Sequence, residues 1–258
     1  MTTTPQTPGP KTAAQDGWAE LLEIGRTVAY ALAIALVLRI FLFQPFTIPS
    51  ASMEPALLTG DYVIVSKYSY GYSRCSIPFC PPLFKGRILG PAPKRGDIVV
   101  FQLPRDLNIT YVKRLIGLPG DRIQVRGGVV YVNGKMIPRT PLGPTEDPDT
   151  PGLQVMQYAE PKPDGHSYIT FDRSPDHEGD DTDVYVVPQG HYFMMGDNRD
   201  NSLDSRWPQE IGVGFVPAEN FVGRAELVLV SWHPGASLFL PWTWFTKLNV
   251  HRLFHPLH

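Results

Sequence analysis

The spacing of hydrophobic and polar positions changes character once along this chain, at Gln44. Before it, residues 27–43 (TVAYALAIALVLRIFLF) form the longest apolar run, bounded by Arg26 and Gln44 and broken by one charge, Arg39. Seventeen residues is the short end of what spans a bilayer as a helix. Arg39 lies near the far end, where its long side chain can snorkel to the headgroups. A cleaved secretory signal and a buried core helix compete with a retained anchor. The weak charged region ahead of the run, and the bulk of Phe41, Phe43 and Phe46 where a cleavage site would need small residues, favour an anchor over residues 18–44. Lys11 and Arg26 lie on the near side, and no Lys or Arg occurs between residues 45 and 64. The positive-inside rule therefore puts the N-terminus in the cytoplasm and the remainder outside. Residues 1–17, polar and with three prolines, read as a disordered tail.

After Gln44 the period becomes two. Three segments repeat one grammar, a Gly-Asp turn followed by an apolar strand: Gly60-Asp61-YVIV, Gly96-Asp97-IVVF and Gly120-Asp121-RIQV. Their unequal spacing excludes a fixed-period repeat. Asn133-Gly134 between VVYV and KMI predicts a hairpin. Residues 138–164 hold seven prolines and predict an irregular stretch, and residues 172–183 (DRSPDHEGDDTD) an acidic loop. Strand grammar returns at residues 184–187, 191–195 and 225–232. The expectation is a mainly β protein behind one membrane helix. A first part of the β domain spans 45–125, a β-rich insertion 126–183, and a second part of that domain, with a C-terminal tail, 184–258. Residues 238–245 (LFLPWTWF) are too short to span; Trp242 and Trp244 suit a membrane interface or ordinary core packing.

Composition narrows the class. Of 258 residues, 43% are hydrophobic and 19% charged, enough for a core. A net charge of −2 gives no general reason to bind nucleic acid. With 27 prolines and 23 glycines, short strands and turns are favoured over a helical bundle. Two cysteines make neither a disulfide scaffold nor a four-thiolate metal site.

Three stretches carry candidate chemistry. If PFTIPSASMEP (45–55) is extended, Ile48, Ser50 and Ser52 share a face; a polar loop is the plain alternative. In NITYVKRLIGLPGD (108–121), alternation sets Lys113 in an apolar stripe with Ile109, Tyr111 and Leu115, and Arg114 on the other face. A lysine placed there is either an edge-strand guard or a desolvated base of lowered pKa. MGDNRDNSLDSR (195–206) reads as a calcium loop, a solvated turn or a buried polar network. The calcium reading fails, because counting from Asp197 puts Arg199, Ser202 and Pro208 at positions 3, 6 and 12. Together the stretches fit a serine nucleophile activated by a lysine. An ordinary lysine of pKa about 10.4 is neutral in roughly one molecule in 2,500 at pH 7. Bringing it to about 7–8 requires about 4 kcal/mol of disfavoured ammonium, for which an apolar surround is a plausible source.

IPSASMEPALLTGDYVIVSKYSYG (48–71), KRGDIVVF (94–101), YVKRLIGLPGD (111–121) and GDNRDNSLDSR (196–206), in this order behind an apolar segment, resemble bacterial type I signal peptidases. These are membrane-anchored Ser–Lys proteases that remove signal peptides from exported proteins. The resemblance implies Ser52 as nucleophile and Lys113 as general base, with the Ser52 N–H and Ser50 hydroxyl as oxyanion donors. It implies that Ser202 orients the Lys113 amine, that Asp204 and Arg206 pair in support, and that Gly196 permits close packing. It implies shallow pockets for small residues lined by Phe46, Ile48, Met53, Leu57, Val63, Val100, Tyr111 and Val112. No metal and no cofactor are implied. The implied partners are signal peptides of preproteins, the lipid bilayer and, as a candidate, the export channel, with no nucleic acid. The implied location is the bacterial inner membrane, single-pass, with the catalytic domain periplasmic. Ser52 is eight residues beyond Gln44, within roughly 29 Å of extended chain. Glu54-Pro55-Ala56 departs from the usual neutral residue followed by Pro-Thr; little consequence is expected, because neither position is assigned a catalytic role.

Other features are set aside. Cys75 and Cys80 could pair in an oxidising periplasm or remain free thiols. A triad through His191 is disfavoured because Lys113 already fills the base role. His251, His255 and His258 read as a frayed tail rather than a metal cluster, and His177 as solvated. A self-cleaving repressor relative would need a DNA-binding domain, and none is visible before Ser52. The other alternative is a catalytically inactive anchored envelope scaffold or binding module.

Overall fold

The computed structural model describes residues 13–77, 79–174, 176–233, 235–236, 240 and 242–257. Helix α1 runs Ala13–Phe41. Its segment Glu20–Phe41 is long and apolar enough to cross a membrane, and its side chains are almost all exposed. Residues 13–17, expected in the disordered tail, are helical, and of these Ala13, Ala14 and Gln15 are good helix formers; residues 1–12 lie outside the described residues. The helix stops short of the expected Gln44 because Pro45 disfavours the α conformation in the residue before it.

From Ile40 onward the chain forms a separate, mainly β unit. Its strands are β1 (Phe43–Thr47), β2 (Asp61–Ser66), β3 (Tyr72–Ser73), β4 (Arg87–Ile88), β5 (Ile98–Leu103), β6 (Asp106–Gly117), β7 (Arg122–Arg126), β8 (Val129–Val132), β9 (Lys135–Met136), β10 (Thr140–Glu146), β11 (Gln154–Pro161), β12 (Ser167–Asp172), β13 (Tyr185–Val186), β14 (His191–Met195), β15 (Val216–Pro217), β16 (Phe221–Ser231) and β17 (His255–Pro256). The main sheet has the order β1-β2-β16-β5-β6-β14-β15, with β17 beside β16. The order β13-β7-β8-β9 makes a second sheet and β10-β11-β12 a third.

The Gly-Asp grammar has a common physical form. Asp61, Asp97 and Asp121 each accept a hydrogen bond on the side chain from the backbone N–H three residues earlier, at 2.9, 2.9 and 2.7 Å. Each returns its own N–H to that residue's carbonyl, at 3.1, 3.1 and 3.0 Å. The glycine inside each turn has φ of +93°, +94° and +88°, a region closed to most side chains. A doubly bonded turn thus launches each apolar strand. Asn133 and Gly134 (φ +53° and +77°) close the expected hairpin between β8 and β9.

The proline-rich stretch is more regular than expected. Pro141 and Pro144 sit in β10, the edge of its sheet, where a missing N–H costs no ladder bond, and the register shifts between Pro141 and Gly143. The C-terminal segment is not frayed: His255 pairs with Val228, and Arg252 binds Asp61. Residues 238, 239, 241 and 258 lie outside the described residues; Trp242 and Trp244 are exposed rather than packed in the core. Cys75 and Cys80 form a disulfide.

Candidate active site

Ser52 does not lie on an extended strand. The chain leaves β1 at Thr47 and turns through a 3-10 segment, Ala51–Met53, with Ser50 just before it. Alternation therefore does not align the two serines. The turn does, leaving Ser50 Oγ 3.4 Å from Ser52 Oγ. Val63, Val65, Ile98 and Val100 pack against Met53 and Leu57, so burial of those two side chains pins the turn to the sheet. A contact from the other side completes it: Asn198 N–H donates to the Ser52 carbonyl at 3.3 Å.

Lys113 is on β6, opposite Val99 of β5. Only 3% of it is exposed, and its Nζ donates to Ser52 Oγ. Burial pushes its pKa down to about 8; the charges of Asp204 and Asp197 oppose the shift and are outweighed. The Tyr111 ring centroid lies 5.6 Å from Nζ.

The 195–206 stretch is a buried polar network. Asp204 is clamped by Arg206 through two 2.9 Å bonds and accepts the Gly196 N–H at 3.0 Å. Burial alone would raise its pKa, but Arg206 and these bonds hold it below the ordinary aspartate value. The resemblance implied that Ser202 bonds the lysine. Instead its Oγ is buried without a hydrogen-bond partner among the described residues. That hydroxyl packs against Gly196, where a Cβ would overlap both it and the Ser52 carbonyl.

A cleft of about 740 Å³ opens over these groups. Ser50, Ser52, Tyr111, Val112, Lys113 and Ser202 line it. Phe46, Ile48, Met53, Leu57, Val63 and Val100, implied as pocket lining, do not. The last five are buried and Phe46 packs against them, so they form the wall behind Val112. Their shared core supplies more burial than a wet pocket would allow.

Several lining and supporting residues escaped sequence reasoning. Ile109, Leu203, Trp207 and Ile211 add apolar walls, and the acidic loop brings His177 and Glu178 to the cleft. His177 is therefore not simply solvated; its Nδ1 lies 3.7 Å from Asp200 Oδ1. Asp197 binds Arg114 bidentately at 2.7 and 2.6 Å, and Arg199 binds Glu160 of β11 at 2.5 Å. The density of Asp and Arg in 195–206 was the only signal for these pairs. His191 does not line the cleft; its Nδ1 contacts Gln189 O at 3.0 Å.

A family model described as signal peptidase, peptidase S26, matches residues 21–232. A signal peptidase I of Rickettsia akari (strain Hartford) is 44% identical over 230 residues, covering 86% of this chain and 81% of the relative. That of Rickettsia canadensis (strain McKiel) is 40% identical over a 267-residue alignment, covering 96% of this chain and 95% of the relative. A crystal structure of a signal peptidase I from Enterococcus faecalis V583 shares 28% identity with a TM-score of 0.30, covering 52% of this chain and 97% of that one.

Proposed function

The chain belongs to the signal peptidase family, peptidase S26, and is a serine peptidase; from that premise we propose that it removes signal peptides from exported preproteins with a Ser52–Lys113 dyad. The observation that carries this reading is a buried amine whose pKa is pushed down to about 8, bonded to the hydroxyl of Ser52.

The neutral Lys113 amine takes the Ser52 proton as Oγ attacks the scissile carbonyl carbon. The resulting oxyanion is received by the Ser52 N–H and the Ser50 hydroxyl. The Lys113 ammonium then gives its proton to the leaving amine, and the peptide ester on Ser52 is cut by water with Lys113 again as base. The precursor binds extended beside β6, with backbone bonds giving affinity, and small side chains meet Tyr111 and Val112. Asp204, Arg206 and Gly196 hold the polar network behind the lysine, and Ser202 is a packing partner of Gly196. Helix α1 anchors the enzyme in the bacterial inner membrane, with its N-terminus cytoplasmic and the β unit periplasmic. The bilayer is thus a partner, and the export channel a candidate one.

Two variants test the reading. Detergent-solubilised wild type is expected to convert a precursor to its mature form, and Ser52→Ala to be at least about 1,000-fold slower. Equal processing by Ser52→Ala would remove Ser52 as nucleophile, and no processing by either protein would favour the inactive anchored scaffold. Gly196→Ala is expected to cost about 100-fold in kcat with a smaller change in KM, because the new methyl displaces the Ser52 carbonyl. Unchanged kinetics would show that the turn has room to spare.

A further inference from the structure

Glu54 follows the nucleophile turn by one residue, and its N–H closes that turn on the Ala51 carbonyl. Its side chain is fully buried, and among the described residues neither carboxylate oxygen has a hydrogen-bond partner. An ionised carboxylate so placed is costly; a protonated one is far less so.

The surroundings disfavour charge further. The turn after β10 presents Asp147 and Asp149, and the segment after β12 presents Arg173. Arg173 is already engaged by Asp147 at 2.9 Å. Asp149 accepts the Thr59 hydroxyl at 2.7 Å, joining the β10–β11 turn to the loop that carries Glu54. The remaining ion pair nearby, Arg252 with Asp61, is closed on itself and on the Ala56 carbonyl.

We propose that Glu54 is a positioning residue whose carboxyl stays protonated behind Ser52, and that its ionisation sets the upper pH limit of cleavage by loosening the nucleophile turn. Loss of the proton puts a third negative charge beside Asp147 and Asp149. The strain falls on the 51–54 turn, which carries Ser52, and on the Thr59–Asp149 contact beside it. The direction of its pKa agrees. Burial is the largest cause, then the carboxylates of Asp149 and Asp147; together they raise it to about 8, against weaker pulls from the Arg173 charge and from the Thr59 backbone N–H, which is near but makes no full hydrogen bond.

This inference deepens the proposed dyad, and its test separates the two. In pH profiles of kcat/KM on a precursor, Glu54→Gln is expected to leave the acid limb in place and carry the alkaline limb upward. Its gain over wild type should be about tenfold or more one to two pH units above the wild-type optimum. Asp149→Asn keeps an acceptor for Thr59 but removes one repelling charge, so its alkaline limb should move to lower pH. A Glu54→Gln curve scaled down without any shift would overturn the proposal, as would an unmoved limb in Asp149→Asn. If Glu54→Gln does not fold, the Asp149→Asn profile decides. A readout without cleavage is thermal unfolding against pH. An acid whose pKa is raised on folding gives stability that is complete below its unfolded value of 4.5 and is lost as pH rises through about 8. The wild-type Tm should therefore fall across that window more steeply than that of Glu54→Gln. Parallel curves would overturn the proposal even if cleavage proceeds. Divergent curves in a protein that cuts nothing would leave Glu54 protonated, but would end the dyad and with it the cleavage limit assigned to Glu54.

Discussion

Replacing Lys113 with Met is expected to lower kcat/KM for a precursor by about 10,000-fold while the protein keeps its fold. The chemistry requires one group that is neutral, in reach of Ser52 Oγ and able to hold a proton, and Lys113 Nζ is the one bonded there. Met fills similar volume with no proton acceptor of that strength. The wild-type acid limb follows from the same group. Below about pH 8 the amine is protonated and the rate should fall tenfold per unit; above it the base is fully available. A rate independent of pH between about 5 and 7, or substantial turnover by Lys113→Met, would take the base role from this residue.

The same substitution should stabilise the protein at neutral pH. Lys113 has its folded pKa near 8 against an ordinary 10.5, a gap worth roughly 3 kcal/mol of unfavourable charge burial at pH 7. Between these values the unfolded chain binds more protons than the folded one. Wild-type stability therefore rises with pH across that interval, and the advantage of Lys113→Met should shrink there. Comparing Tm for the two proteins at pH 7 and near pH 10 checks the sign. Active-site groups held against their own solvation commonly cost stability in this way.

What could be read from the chain follows the range over which each signal acts. The Gly-Asp turns are closed within four residues, so their sequence is their structure. The strands of the main sheet follow because period-two patterning records which face is buried. Lys113 was legible because an ammonium inside an apolar stripe is anomalous on any strand. The turn at Ser52 was not, because it depends on packing of Met53 and Leu57 against strands far along the chain. The β10 strand was hidden by prolines that only an edge position tolerates. Glu54 looked unimportant for a similar reason: the charges that act on it, those of Asp147, Asp149 and Arg173, come from about a hundred residues away.

The largest stability effect is expected from Asp197→Ala. Arg114 and Asp197 are 2% and 1% exposed, 83 residues apart in sequence, and joined by two parallel bonds. The third guanidinium nitrogen donates to the Gly96 carbonyl at 2.6 Å, and the guanidinium stacks 3.9 Å from the Tyr168 ring of β12. Removing the carboxylate leaves a buried cation without its paired anion, at a cost of about 3–5 kcal/mol. For a domain of this size that is a drop in Tm of roughly 6–20 °C. Cleavage should fall as well, because the Asp197 carbonyl receives the Phe171 N–H at 2.8 Å and the next residue holds the Ser52 carbonyl. The double variant Arg114→Met, Asp197→Leu removes both charges and should recover much of the lost Tm, since the penalty lies in the unpaired ion rather than in the missing attraction. A double variant less stable than Asp197→Ala would mean that the pair contributes by its own attraction, and that the sheet carrying Tyr168 depends on Arg114 being present.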